Sequence, residues 1–188
     1  VPFAPSTAHA AKYRWKSIEG PIARDGAPIV YDETRQRAVL FGGFSSTGVL
    51  NDTWEWNGDT WLSRAPFTSP SPRALHSAIY DTFLGRVGLY GGIAAEFNSD
   101  ISIWDGSSWK LDKQTGPTPP QRTLQVMAFD RQRKVWILFG GLDVGGRPLN
   151  DTWEYSTETH TWVERTPAVS PDPRSETMMS FDSTRNVA

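Results

Sequence analysis

The four residues 40–43, Leu-Phe-Gly-Gly, recur along this chain and decide its fold. They return as Leu-Tyr-Gly-Gly at 89–92 and as Leu-Phe-Gly-Gly at 138–141, and each second glycine lies 49 residues after the one before it. A Tyr-Asp or Phe-Asp pair precedes each copy, with its aspartate ten residues upstream of the first glycine. Self-similarity at a fixed period indicates a repeat protein in which each repeat is one supersecondary unit.

The sequence pattern within each repeat predicts four strands. The first strand follows a recurring arginine, as at 74–80 and 123–129, and the second is the apolar run that ends in the glycine pair. The third, such as 52–56, alternates along its length, and the fourth carries a tryptophan. Asn-Gly at 57–58 and Asp-Gly at 105–106 predict type I′ hairpin turns between strands three and four. Four antiparallel strands repeated near 50 residues predict the blades of an all-β propeller.

The recurring arginine, Tyr-Asp, Leu-Phe-Gly-Gly, Asn-Asp-Thr-Trp-Glu-Tyr and downstream tryptophan resemble the kelch repeat across residues 13–188. The resemblance implies a β-propeller of four-stranded antiparallel kelch blades, of the bacterial kelch or galactose-oxidase-like kind. The expected divisions are a tail at 1–12, a lone outer strand at 13–20, blade units at 21–69, 70–118 and 119–170, and the start of a fourth at 171–188.

These divisions amount to about 3.5 blades, which forms an open arc rather than a closed ring. Propellers have about 4–8 blades, so we expect the chain to be part of a larger ring of six to eight blades. The alternative is a subunit that completes its propeller by associating with itself or with another chain, which would cover the open blade edges.

Two sets of residues are expected to hold the repeats together. The glycine pairs predict places where a neighbouring blade leaves no room for a Cβ or where the chain turns with a positive φ. The strand-four tryptophans predict packing between blades. This structural set comprises Gly42, Gly43, Gly91, Gly92, Gly140, Gly141, Trp61, Trp109 and Trp162.

The connections between strands two and three vary in length around a constant frame, as ligand-contacting loops do. They run over residues 44–51, 93–99 and 142–150, and are predicted to emerge on the same face as the connections from strand four to the next blade. The candidates for a contact surface are Phe44, Glu96, Phe97, Asp143 and Arg147, and the alternative is that these are solvated loop residues.

The recurring arginines are the other candidate site. The resemblance implies that this position lies near the mouth of the central channel, where guanidinium groups could hold carboxylates of a ligand. The alternative is that each guanidinium donates to carbonyls of the adjacent blade, which recurrence in every unit favours. The arginines are Arg24, Arg73, Arg122 and Arg174.

Composition excludes several function classes. The 19 basic against 21 acidic residues leave a net charge of −2, which argues against a nucleic-acid partner. Without cysteine there are no disulfides and no thiolate metal sites, and the longest apolar stretch, 135–139, is too short to span a membrane. The histidines His9, His76 and His160 fall in unrelated places and predict no metal, and no cofactor is expected. His76 is expected to pack.

The resulting hypothesis is a non-enzymatic scaffold or accessory module that binds a protein or a glycan through its loops. The copper-radical oxidases of this fold need a Cys–Tyr crosslink, which this chain cannot form. A carbohydrate-active enzyme of the mutarotase or lyase type stays open as an alternative. The resemblance also implies a bacterial, exported protein, in the periplasm or at the cell surface.

Overall fold

A computed structural model describes residues 19–188, and all the regular secondary structure in that range is β, in fourteen strands. The predicted tail at 1–12 lies outside the described residues, as does nearly all of the lone outer strand predicted at 13–20. No helix that could span a membrane occurs between residues 19 and 188.

Three four-stranded antiparallel sheets form the predicted blades, each with its strands in chain order. Blade one comprises β1 (Ile29–Asp32), β2 (Arg37–Ser45), β3 (Gly48–Trp56) and β4 (Trp61–Arg64). Blade two comprises β5 (Ser77–Asp81), β6 (Arg86–Tyr90), β7 (Ile101–Trp104) and β8 (Trp109–Asp112). After the short β9 (Arg122–Thr123), blade three comprises β10 (Val126–Asp130), β11 (Val135–Phe139), β13 (Thr152–Ser156) and β14 (Thr161–Arg165), and β12 (Leu142–Asp143) pairs with β9.

The hydrophobic core lies between the blades rather than within one of them. The first strands β1, β5 and β10 are neighbours, with β5 in contact with both of the others. One apolar cluster joins blades one and two through side chains such as Phe41 and Trp104. A second cluster joins blades two and three through side chains such as Tyr90 and Trp136. The sheets do not close into a ring within the described chain.

The first strand of each blade begins later than predicted. Strands predicted at 74–80 and 123–129 begin at Ser77 and Val126, because Leu75 and Leu124 adopt left-handed φ values of 57° and 56° that interrupt an extended chain. The predicted start of a fourth blade unit, at 171–188, forms no strand. That segment finds no partner strand among residues 19–188 and contains only an isolated bridge.

The turns between strands three and four are also not type I′, which needs a positive φ at both central residues. Gly58 has a φ of 99°, but Asn57 is not left-handed. Its side-chain oxygen instead accepts hydrogen bonds from the backbone N–H groups of Asp59, at 2.9 Å, and Thr60, at 2.8 Å. The connection is therefore a four-residue loop organised by an Asx turn.

The glycine pairs have the packing role that the sequence predicts. A Cβ on Gly140, which has a φ of +62°, would lie 2.6 Å from the carbonyl oxygen of Arg174 in the following unit. A Cβ on Gly92, at +90°, would lie 2.7 Å from the carbonyl oxygen of Ala74 in its own blade. The first glycine thus admits the next unit, and the second admits the start of its own blade.

Two of the three strand-four tryptophans, Trp109 and Trp162, pack in the apolar clusters between blades. Trp109 and Trp162 are buried, with 3% and 2% of their surface exposed. Trp61 is half-buried and its ring lies at an angle beside that of Trp56 in the same blade. Burial of these indoles is therefore greatest where a preceding blade is present in the described chain.

Candidate functional site

Three of the four recurring arginines form paired hydrogen bonds with an aspartate of the same blade, which lies inside β3 in blade one and directly before the third strand in blades two and three. In each pair both terminal guanidinium nitrogens meet both carboxylate oxygens, the geometry that suits arginine best. The shortest N–O contacts are 2.6 Å for Arg24–Asp52, 2.8 Å for Arg73–Asp100 and 2.5 Å for Arg122–Asp151.

Each of these guanidinium groups also binds carbonyl oxygens close to it. Arg73 donates from Nη1 to Gly91 at 3.2 Å and from Nε to Ser71 at 3.2 Å, and its side chain is 1% exposed. The alternative interpretation had the side chain reaching the adjacent blade, but these contacts lie within blade two and the linker before it. Only the backbone of Arg73 bridges blades, by accepting from the N–H of Gly43 at 2.9 Å.

Arg24 and Arg122 favour the ionised form of their partner carboxylates. Burial opposes ionisation of Asp52, but hydrogen bonds from Arg24 and Trp54 outweigh it, so the pKa of Asp52 lies below its ordinary value. Burial likewise opposes the ionisation of Asp151, but Arg122 outweighs it, so the pKa of Asp151 is lowered as well. These two carboxylates are therefore ionised at neutral pH, and all three arginine–aspartate pairs tie the third strand to the start of its blade.

Arg174 differs from the other three. It is exposed, and its recorded side-chain hydrogen bond runs from Nε to the carbonyl oxygen of Asp172 at 2.9 Å. The structure thus brings Arg24, Arg73 and Arg122 into structural pairs and leaves Arg174 accessible. A ligand-binding role for the four arginines stays a prediction.

The two kinds of loop emerge together, as the sequence predicts. The residue after each arginine pairs with the residue after each glycine pair: Asp25 bridges Phe44, and Ala74 bridges Ile93. In blade three the corresponding residues pair as two short strands, β9 and β12. We call the surface formed by residues 44–51, 93–99 and 142–150 the loop face.

The five candidate contact residues occupy different environments on the loop face. Phe44 is half-buried and lies inside β2 rather than in a loop, because a register shift after Phe41 lets β2 and β3 continue to a tight turn at 46–47. Glu96 is exposed and Phe97 is half-buried beside it. Asp143 lies in β12 and caps a turn by accepting from the N–H of Arg147, whose side chain is exposed.

The structure exposes two apolar side chains, Val144 and Phe67, that the sequence did not indicate as accessible. Val144, at the tip of the third connection on the loop face, is 64% exposed, and Phe67, in the linker between blades one and two, is fully exposed. The available signal was an apolar residue between turn-forming residues, as in Asp143-Val144-Gly145. That signal is weak, because short sequences of this kind also occur in buried turns.

His76 packs between blades, as expected. Its ring lies 5.8 Å from the ring of Phe41, centroid to centroid, and 5% of the residue is exposed. Burial, and secondly the charge of Arg73, lower the pKa of His76 to about 3. Among residues 19–188, no three histidine or carboxylate side chains are grouped as metal ligands are.

The repeated sheets and their interlocking glycines define a set of propeller blades, and comparison with known proteins shows which repeat motif these blades are similar to. A sequence profile of the Kelch motif matches residues 137–167, from within β11 to beyond β14. This match, together with relatives named for kelch motifs, supports a kelch-repeat family for this chain.

The relatives are moderately similar over most of this chain. A Rab9 effector protein with kelch motifs from Xenopus laevis is 28% identical over 167 residues, covering 82% of this chain and 45% of its own length. Kelch domain-containing protein 1 from Mus musculus is 26% identical, covering 72% and 33%. Mei4-dependent protein 6 from Schizosaccharomyces pombe is 22% identical, covering 78% and 24%.

The chain therefore spans less than half the length of these curated relatives. All three come from eukaryotes, so they lend no support to the expected bacterial origin. The exported location stays a prediction.

Proposed function

We propose that the chain is a non-enzymatic scaffold that binds a protein partner through its loop face. The carrying observation is the contrast between a constant frame and a variable surface. The arginine–aspartate pairs repeat in all three blades, whereas the connections above them are a strand hairpin, an irregular loop and a short strand with a turn. A rigid frame that presents different loops is a common way to build a binding site.

The chemistry of the loop face suits a protein partner. It combines the exposed charges of Glu96 and Arg147 with the exposed side chain of Val144 and the half-buried ring of Phe97. Protein interfaces commonly centre on aromatic and arginine anchors with a polar rim. The name of the Xenopus relative, an effector protein with kelch motifs, is compatible with the same role.

Site-specific photo-crosslinking tests the proposal. A photoreactive side chain at position 144 is expected to capture one protein partner in the source cells. The same side chain at Lys110, which is 73% exposed on the outer strand β8 of blade two, provides the control and is expected not to capture it. Capture of the same proteins at both positions would contradict a specific loop face.

Direct binding then tests the individual residues. With the purified partner, Glu96→Ala and Arg147→Ala together are expected to weaken binding at least tenfold, about 1.4 kcal/mol, with Lys110→Ala unchanged. A glycan array on the same proteins tests the alternative partner class. Saturable glycan binding lost in the double variant, without any protein partner, would replace the protein with a glycan in this proposal.

A further inference from the structure

The turns between the first and second strands meet at the end of the blades opposite the loop face, because each second strand leads from its turn toward the loop face. These turns run over residues 33–36, 82–85 and 131–134. Side chains connect all three: the N–H of Thr34 donates to the hydroxyl of Tyr80 at 3.1 Å, and Arg131 pairs with Glu33. We call the surface formed by these three turns the turn face.

The turn of blade two carries apolar side chains where the other two turns are polar. Phe83 and Leu84 are 46% and 38% exposed. The corresponding pairs are Thr34-Arg35 in blade one and Gln132-Arg133 in blade three. The turn itself does not need apolar residues, because it is held by N–H groups that donate to Asp81 and forms in the same way in blade three with polar residues. Adjacent exposed apolar side chains commonly mark a contact surface.

The accessible charge in the middle of the turn face is positive. The aspartates that cap the three turns are buried: Asp32, Asp81 and Asp130. The exposed carboxylate of Glu33 is neutralised by Arg131. Arg37, Arg86 and Lys134 form no salt bridge with a carboxylate among residues 19–188, although Arg86 donates to the carbonyl oxygen of Asp105 at 2.7 Å. Carboxylates therefore point inward here, whereas cations stay available.

Lys134 places one of these charges directly on the apolar side chains. Its ammonium lies 4.1 Å from the centroid of the Phe83 ring, a cation–π contact between blades three and two. The backbone of Lys134 has a left-handed φ of 56°, at the position where blade two has Gly85, so lysine is held where glycine is the easier residue. Cations beside an exposed ring suit a ligand that combines carboxylates with an apolar group.

The rim of the turn face is acidic. The turns between strands three and four end on the same side, farther from the inner strands, and carry the exposed Asp59 and Glu158 and the half-buried Asp105. Burial opposes ionisation of Asp105, but hydrogen bonds from Ser107 and Ser108 outweigh it, so its pKa is lowered. A flat anionic membrane would meet this rim as well as the basic middle, whereas a peptide segment can lie on the middle alone.

We propose that the turn face binds an acidic peptide segment of a protein partner. An apolar side chain of the peptide packs on Phe83 and Leu84, and its carboxylates pair with Lys134, Arg86 and Arg37. This site lies opposite the loop face and stands independently of the proposed scaffold function.

Titration of the ¹⁵N-labelled full chain with a synthetic peptide tests the site. The probe is Glu-Glu-Phe-Asp-Leu-Glu-Glu with blocked ends, and two control peptides replace its acidic residues by glutamine or its apolar residues by serine. The acidic peptide is expected to move the amide shifts of residues 82–86 and 131–134. Each control peptide should bind at least about fivefold more weakly, and so should the acidic peptide in concentrated salt, which screens exposed charges.

Two substitutions exchange residues between blades and should leave the fold intact. Phe83→Thr gives blade two the residue that blade one has at Thr34, and Lys134→Gly gives blade three the residue that blade two has at Gly85. Each should weaken binding of the acidic peptide at least about fivefold, through the loss of an apolar contact or of a charge. Lys113→Ala is the matched control, because Lys113 is exposed beyond the far end of β8, and binding should be unchanged.

Three results would each overturn the proposal. They are equal binding of the acidic and control peptides, shift changes confined to the loop face, and binding of phosphatidylserine vesicles without binding of the acidic peptide, which would assign the turn face to a membrane. The shift changes need only the unsubstituted protein, so they decide the matter even when a variant does not fold. Glu96→Ala and Arg147→Ala should leave peptide binding intact, which separates failure of this site from failure of the scaffold function.

Discussion

Blades one and two have the same strand order, but only blade one carries a buried carboxylate in the middle of its third strand. In blade one, Glu55 on β3 is fully buried and accepts hydrogen bonds from Arg35 and Arg64. Burial opposes its ionisation, but these arginines and an indole N–H outweigh it, so the pKa of Glu55 is lowered. Blade two has Leu84 and Ile103 where blade one has Arg35 and Glu55, so it lacks this network.

Because of this difference, the hydrogen bond from an indole to a buried carboxylate is made by different residues at the two interfaces between blades. Trp104 of blade two donates from its indole to Glu55 at 2.9 Å. At the following interface, Trp136 of blade three donates instead to Asp81, at the end of β5, at 2.8 Å. Its ring lies over Gly88, where a Cβ would collide with it. A hydrogen bond from an indole N–H to a buried carboxylate thus recurs at both interfaces, although the tryptophan and the carboxylate lie on different strands of their blades in the two cases.

The largest effect is expected from removing the Trp136 ring. Trp136→Ala deletes a fully buried side chain and leaves Asp81 without its indole donor, so the free energy of unfolding should fall by about 3–5 kcal/mol. Urea denaturation of the chain measures it. Phe67→Ala, at a fully exposed ring, is the control and should change stability by less than about 0.5 kcal/mol. Equal losses in the two variants would mean that Trp136 does not hold the second interface.

A volume exchange tests the pairing of Gly88 with Trp136. Gly88→Val gives blade two the residue that blade one has at Val39 and should cost about 1–3 kcal/mol through overpacking. Combined with Trp136→Val, the same substitution should cost less than the sum of the two single changes, because the space for its side chain has been opened. A double-mutant cycle measures this coupling, and strict additivity would contradict direct contact.

Acid should weaken the first interface through His76. Because its pKa is lowered to about 3 in the folded chain from an ordinary 6.5, the folded state stays neutral while the unfolded state takes up a proton. Stability should therefore fall as the pH drops from 6.5 toward 3, by up to about 1.4 kcal/mol per pH unit. His76→Gln, the residue that the second interface has at Gln125, should flatten the slope between pH 6.5 and 5. An unchanged slope would show that His76 is not the group responsible.

The smallest effect is expected from a contact that bypasses blade two. Arg131 of blade three pairs with Glu33 of blade one at 2.5 Å, and both side chains are about half exposed. An exposed ion pair contributes about 0.2–1 kcal/mol and is screened by salt. Arg131→Ala should lose that amount at low ionic strength and nothing measurable in concentrated salt. A loss above about 2 kcal/mol would mean that this pair, rather than the interfaces of blade two, holds the arc together.

The comparison also shows how far the sequence alone could lead. The 49-residue period places the three blades, and Gly92 lies at a tight contact with a positive φ, because such a role depends on local geometry. The left-handed break at Leu75 was missed, since leucine carries no signal for a positive φ. Phe44 was assigned to a loop because the continuation of β2 depends on its pairing with β3.

The features of the candidate site likewise divide into those that the sequence predicts and those that only the tertiary structure shows. The sequence by itself determined the repeat, the blade architecture and the variable connections, because a fixed period and turn-forming residues are local properties of the chain. Only the tertiary structure decided that Arg73 is paired with Asp100, that Trp136 needs Gly88, and that His76 and Gln125 line one cavity. Those partners lie 27 to 49 residues apart, and their contacts exist only after the strands of a blade, or two neighbouring blades, have packed together and excluded water.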